Sequence, residues 1–249
     1  MYKKNSFAID LDVYHKKTSG MLLQIDVPGY VGNSGPIGNI ADLSNRGFEL
    51  ELGYNKRVGE FSFRVAANGS FLTNNIDFLG DEKQFLGGQT VTPQGLEVTR
   101  TMVGHAIGSF FGYRSNGLFQ NQAEINNYKN AGGTLIQPND KPGDIKFIDL
   151  NGDGLISDND REIIGDPTPD FTYGFTLNAA YKGFDFVMLG QGVAGNQVFN
   201  ALRRFDLPTA NYTTAILDRW RGEGTSNVTP RLTLQDDNKN YSRVSRLFL

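Results

Sequence analysis

Cysteine is absent from the 249-residue chain, which excludes a disulfide scaffold, a thiolate metal site and a cysteine nucleophile. Long apolar runs are absent too. No stretch approaches the ~18 residues that a membrane-crossing helix requires, and no apolar signal core follows Lys3 and Lys4. An excess of one charge is also missing: 24 Lys and Arg stand against 27 Asp and Glu, a formal charge of −3. That balance excludes a dedicated nucleic-acid binder, which needs a basic footprint. Only two histidines occur, His15 and His105, far apart and without ligand-spaced partners. No Gly-x-Ser-x-Gly elbow and no His-Glu-x-x-His pair is present, so no catalytic constellation is expected and the chain is read as no enzyme. The best helix candidate is 214–221, where Ala215, Leu217 and Trp220 fall partly on one side behind a threonine. It is short, precedes Gly222-Glu223-Gly224 and reads as a packed loop element without chemistry.

Aromatic residues and glycine are plentiful, with 18 Phe, 10 Tyr and 30 Gly. They fall in a period-2 pattern that predicts strands. Phe7, Ile9, Leu11 and Val13 alternate with Ala8, Asp10 and Asp12. Phe48, Leu50, Leu52 and Tyr54 alternate with Gly47, Glu49, Glu51 and Gly53. A turn at 57–60 leads into Phe61, Phe63, Val65, Ala67 and Phe71, set against Ser62, Arg64, Ala66, Asn68 and Ser70. A second hairpin runs through Phe171, Tyr173, Phe175, Leu177 and Tyr181, turns at Lys182-Gly183, and returns through Phe184, Phe186 and Met188. These strands exceed the ~5–6 residues usual in soluble domains. Tight turns at 57–60 and 182–183 contrast with long Gly/Asn/Asp/Pro-rich stretches at 26–42, 74–98 and 121–169. Two architectures fit this pattern. A soluble sandwich hides the aromatic face beneath a second sheet, whereas a transmembrane barrel turns it towards lipid and keeps the polar face wet. No repeat, linker or charge block divides the chain, so 1–249 reads as one unit.

One local motif is specific. Residues 149–160 read Asp-Leu-Asn-Gly-Asp-Gly-Leu-Ile-Ser-Asp-Asn-Asp. The calcium loop of an EF-hand takes oxygen ligands at positions 1, 3, 5, 7, 9 and 12, with glycine at 6 for the sharp turn. Asp149, Asn151, Asp153, Leu155 (through its carbonyl), Ser157 and Asp160 occupy those positions, and Gly154 stands at the sixth. Ile156 is the apolar anchor, and Asp158 is read as an outward carboxylate. Aspartate in place of glutamate at the last position is similar to the loops of dockerin modules. Extended chain at 142–147, not a helix, precedes the loop, so a structural calcium is expected and a sensing switch is not. The alternative reading is a set of Asp-Gly and Asn-Gly turns.

Two patterns are set aside. Gly190-Gln191-Gly192-Val193-Ala194-Gly195 fits a dinucleotide fingerprint, but it lies on an antiparallel hairpin with no helix pattern after it. Glu49 and Glu51 share a face through strand alternation alone.

Several segments together resemble one family, the SusC/RagA-type TonB-linked outer-membrane receptors. Gly104-His105-Ala106-Ile107-Gly108-Ser109-Phe110-Phe111-Gly112-Tyr113, then Gly117-Leu118-Phe119-Gln120, is similar to the family's G-x-P-I-G-S-F-x-G-Y…G-I-F-Q stretch, with Ala106 where proline is usual. Pro142-Gly143-Asp144-Ile145-Lys146-Phe147, the Asp-rich loop, Asp160-Arg161 and Ile164-Gly165-Asp166-Pro167-Thr168-Pro169-Asp170-Phe171-Thr172-Tyr173-Gly174-Phe175 resemble its longest block. Tyr181-Lys182-Gly183-Phe184-Asp185, with Gln191-Gly192 and Gly195-Asn196, resembles the hairpin that follows it, and Asn45-Arg46-Gly47-Phe48-Glu49-Leu50 an earlier strand.

The resemblance implies an all-β fold: an antiparallel transmembrane barrel, roughly 22-stranded in that family and plugged at its lumen. It implies an outer-membrane importer of oligosaccharides or peptides, with a SusD-like surface lipoprotein as lid and TonB supplying energy. No plug, TonB box or signal peptide is located, and the chain stops at Arg246-Leu247-Phe248-Leu249 without a full closing strand. It is therefore expected to be an internal-to-late barrel portion, with 121–169 as a long outer loop carrying the calcium loop. Phe61, Phe63, Phe171, Tyr173 and Phe175 are expected to face lipid, and Glu49, Glu51, Arg64 and Asn178 the lumen. The stretches 74–98 and 196–240 are candidate substrate contacts. The second reading is a secreted soluble β-sandwich that binds carbohydrate or protein.

Overall fold

The computed structural model describes residues 7–24, 32, 35–80, 85–88, 90–91, 96–199, 211–233 and 239–240. Parts of the 26–42, 74–98 and 196–240 stretches, the first six residues and the chain end at 246–249 lie outside the described residues. Five long strands carry the architecture: β1 (Phe7–Gln24), β2 (Ile37–Val58) and β3 (Phe61–Phe78), then, much later in the chain, β12 (Phe171–Tyr181) and β13 (Phe184–Ala194). They form one sheet in the order β1-β2-β3-β12-β13, antiparallel throughout.

Between β3 and β12 the chain leaves the sheet and builds an outer unit. It contains β4 (Phe85–Gly87), β5 (Thr90–Val91), β6 (Leu96–Glu97), β7 (Thr99–Met102), β8 (Ser109–Tyr113), β9 (Ser115–Leu118), helix α1 (Gln122–Asn127), β10 (Ile145–Phe147) and β11 (Arg161–Gly165). Both tight turns, Gly59-Glu60 and Lys182-Gly183, lie at the opposite end of the sheet. The asymmetry expected from the sequence is thus present. The long strands reach further than their alternation suggested, because β2 begins at Ile37 and β3 continues to Phe78.

The register makes the sheet two-faced. Val13, Phe48, Phe71 and Phe171 lie in one row across four strands, and Ile9, Leu52, Ala67 and Phe175 in another. The opposite face carries the rows Asp10-Glu51-Asn68 and Asp12-Glu49-Ser70-Thr172. Phe61, Phe63, Phe171, Tyr173 and Phe175 therefore share one face, and Glu49, Glu51, Arg64 and Asn178 the other, as the alternation predicts. No second sheet covers the aromatic face among the described residues. Phe48 is 42% exposed, Phe71 43% and Phe186 54%. A sandwich would bury these rings, and among the described residues no second layer does so.

Glycine on this face serves the rings. A Cβ on Gly190 would meet the Phe175 ring, and one on Gly192 the Tyr173 ring. Each aromatic side chain lies across its cross-strand glycine, covering exposed backbone as aromatic rescue requires. The fingerprint at 190–195 is thus explained by packing, on an edge strand that continues into no helix among the described residues.

Buried apolar side chains gather at the outer end instead. Tyr113, Leu118, Ile145 and Phe147 form one cluster, with Ile156 and Trp220 packed on it. Ala41, Ile76 and Leu79 form a second at the sheet's upper end, and Val98 with Phe110 a third. The stretch at 214–221, the best helix candidate but read as a packed loop element, holds a short 3-10 helix, Thr214–Asp218, and Thr213 makes no side-chain cap. Trp220, which the sequence places partly on the same side, is docked beyond the end of this helix. The space above Gly143, which has φ +91°, is filled by the Trp220 ring, and its Nε1 donates to Gln120 Oε1 at 3.3 Å.

Candidate functional site

The Asp-rich loop spans the gap between β10 and β11. Extended chain, not a helix, enters it, as the sequence implies. Its backbone is bound by its own side chains. Asp149 divides its carboxylate, Oδ1 accepting from Gly152 N at 2.7 Å and Oδ2 from Gly154 N at 2.8 Å. Asn151 Oδ1 accepts from Asp153 N, and Asp153 Oδ1 from Leu155 N, each at 2.9 Å. Both are Asx turns, which aspartate and asparagine form readily because their carbonyl oxygen lies close to the chain two residues on. Gly152 and Gly154 have φ of +75° and +87°, a region that costs L-residues with a Cβ. At Gly154 a Cβ would also strike the Asn130 amide.

Asp160 closes the loop. It is fully buried, accepting Leu150 N at 2.9 Å on one oxygen and Ser157 N at 2.7 Å on the other. With Ser157 it forms the capping box of a 3-10 helix over Asp158–Asp160. Ile156 packs into the Tyr113–Phe147 cluster, so the predicted anchor is in place. Asp158 is exposed and accepts the Tyr113 hydroxyl at 2.8 Å. The donor set is all oxygen, which suits a hard cation. The bonded Asp149 oxygens each keep a second lone pair, whereas both oxygens of Asp160 accept twice. The side chains nevertheless hold the rotamers of a hydrogen-bonded loop: among the described residues, no three His, Asp or Glu side chains gather as a metal-binding group. His15 faces Arg46 across β1 and β2, while His105 lies on a turn bonded through its backbone to Ile76.

Four features around the loop depend on contacts that local pattern does not show. Asp144, fully buried, accepts from Arg231 Nε at 2.6 Å, Asn240 Nδ2 at 2.8 Å and Lys141 N at 2.7 Å. It ties three distant stretches together, and no local motif could reveal a partner 87 residues away. Arg100 lies between the Phe85 and Phe111 rings at 3.8 and 3.6 Å, and Arg161 stacks 4.4 Å from Phe111. Both guanidinium groups converge on Glu97. Burial opposes ionisation of Glu97, but bonds and charge from Arg100 and then Arg161 outweigh it, holding the carboxyl below its ordinary range. Tyr128 donates to Phe147 O at 2.6 Å, and its phenol is pushed up by burial and by the nearby Asp149 and Asp160 charges. The fourth feature is a polar groove of about 690 Å³ lined by residues including Gln120, Glu124, Lys146, Glu223 and Asn227.

No family model matches the chain. TonB-dependent receptor P3 of Formosa agariphila is 33% identical over 243 residues, covering 93% of this chain and 23% of its own length. TonB-dependent receptor P26 of the same organism is 32% identical over 235 residues. The TonB-dependent receptor SusC of Bacteroides thetaiotaomicron is 26% identical over 196 residues, 76% of this chain and 18% of its own.

The chain belongs to the SusC/RagA-like TonB-dependent receptors.

It spans about a quarter of the length of the receptors it matches. The fold agrees. The RagAB peptide transporter superposes with a TM-score of 0.64 at 18% identity, covering 92% of this chain and 24% of that one. RagAB in its open-open state gives 0.65 at the same identity. Five antiparallel strands with an outer unit are thus the barrel wall of a SusC/RagA-like receptor, unclosed within this chain.

Proposed function

We propose that this chain is wall and outer loop of an outer-membrane importer that takes up oligosaccharides or peptides. In this reading a SusD-like surface lipoprotein covers the loop end, and TonB delivers energy through a plug outside this chain. One observation carries the membrane placement. The outward rows from Phe61 to Phe71 are apolar without interruption across β3 and β12. At ~3.3 Å per residue they cover ~33 Å of strand, and a tilt near 40° reduces that to ~25 Å, the height of a barrel's apolar band. Aromatic rings crowd both borders, where girdles belong: Phe48, Phe71, Phe171 and Tyr173 at one, Tyr54, Phe61, Phe63 and Tyr181 at the other. Between them lie aliphatic and small side chains and the Phe175 ring.

The name of the RagAB neighbour, a peptide transporter, supports uptake as the activity, and that of SusC, a TonB-dependent receptor, supports dependence on TonB. Candidate substrate contacts are the polar groove and, among the described residues, the 211–233 segment beside it. A structural calcium at Asp149, Asn151, Asp153, Leu155, Ser157 and Asp160 belongs to the same reading, stiffening the outer unit. The full-length receptor is expected to sediment with outer membranes and to need detergent for extraction. Its deletion is expected to abolish TonB-dependent uptake of labelled oligosaccharide or peptide. A receptor soluble and monomeric without detergent would overturn the proposal.

A further inference from the structure

Beyond the upper aromatic girdle the outward face changes abruptly. The row after Val13-Phe48-Phe71 is His15-Arg46-Thr73, and the next is Lys17-Ser44-Asn75. His15, Arg46, Lys17 and Thr73 are exposed. Carboxylates lie one step farther from the girdle. Asp42 is 3.8 Å from Lys17 Nζ, and Asp77 is held by Ser44 Oγ at 2.9 Å and Asn75 Nδ2 at 2.8 Å. From the midplane outwards the sheet therefore reads apolar, aromatic, basic, acidic. At the tight-turn end the outward face also carries the exposed Lys56, opposite Phe63, while Lys182 is matched by Glu60 at 3.6 Å.

A cationic row touching an aromatic girdle sits where lipid phosphates sit. Cations at that level attract anionic headgroups, by about 1 kcal/mol per Lys or Arg near the surface. A guanidinium adds a planar donor fork that matches phosphate oxygens in pairs, and the Thr73 hydroxyl in the same row is a further donor. Behind the row Asp42 holds Lys17 in place, and Asp77 lies near enough to interact with both Lys17 and Arg46, which leaves the outward side of the row to a ligand. We propose that His15, Arg46, Lys17 and Thr73 dock the phosphate of a lipid headgroup in the outer leaflet. This rests on the membrane placement above, since the row meets headgroups only if the girdle meets lipid.

The test uses the full-length receptor in phosphatidylcholine nanodiscs, with or without diphosphorylated lipid A. Lipid A is expected to raise the thermal midpoint of the wild type by several degrees. A variant carrying His15→Gln, Arg46→Gln and Lys17→Gln is expected to lose most of that rise while melting like wild type in phosphatidylcholine alone. Independently of any variant, lipid A stripped of phosphate is expected to give the wild type no rise. An equal rise with stripped lipid, an equal rise in the variant, or a rise reproduced by inorganic phosphate in phosphatidylcholine discs would overturn the headgroup site while leaving the importer reading intact. A receptor that enters no nanodisc would overturn both.

Discussion

At the scale of single residues, buried charge decides more than sequence pattern does. Glu97 holds two arginines against a shared phenylalanine ring, with all three charged side chains at least four-fifths buried. Its carboxyl titrates below its ordinary value of 4.5 because the folded state bonds the ionised form. Such a group contributes stability that is fully present above its unfolded pKa and is lost as pH falls through the folded one. Wild-type receptor is therefore expected to lose thermal stability progressively below about pH 4.5, whereas Glu97→Gln is expected to lack that increment of acid sensitivity. The same variant costs on the order of 2 kcal/mol at neutral pH, as expected for bonds between charged groups. Melting curves of both proteins across pH check this, and parallel curves would remove Glu97 from the account.

At the scale of elements, the Asp-rich loop is held by its own side chains. Asp149, Asn151 and Asp153 bind the loop's backbone, and the calcium proposed above would use their remaining lone pairs. An Asp149→Ala, Asp153→Ala variant of the receptor is expected to lose calcium binding in the 10⁻⁴–10⁻³ M range typical of extracellular modules. Calcium titration followed by protection of the outer unit from protease reads this directly. Calcium-dependent protection equal to that of wild type would exclude the site. The spacing of oxygen ligands was legible because it is local, with every ligand within twelve positions. The Asp144 clamp was not, since Arg231 and Asn240 reach it only after the 211–233 segment folds back over Gly143.

At the scale of the whole molecule, the decisive property is the apolar band that five strands make together. Ala67 lies near its middle, in register with Leu52 and Phe175. Ala67→Arg is expected to cost about 2–4 kcal/mol, whereas arginine at Thr73, outside the girdle, is expected to cost about 0–1 kcal/mol. Folding of the full-length receptor into lipid vesicles, followed by denaturant titration, measures both. Equal costs at the two depths would mean that the band does not face lipid.

The sequence by itself determined the strands, their faces and the asymmetry of turns and loops, because side-chain alternation and turn chemistry act between near neighbours. It also carried the family resemblance, in blocks whose order along the chain is preserved. Only the tertiary structure decided between barrel wall and sandwich. That choice depends on whether a second layer covers the rings, and nothing in a strand's own residues states what lies across from it. The tertiary structure likewise set the register that aligns Val13, Phe48, Phe71 and Phe171 into one girdle. Hydrogen bonds between strands up to a hundred residues apart fix that alignment, and no periodicity within a single strand can.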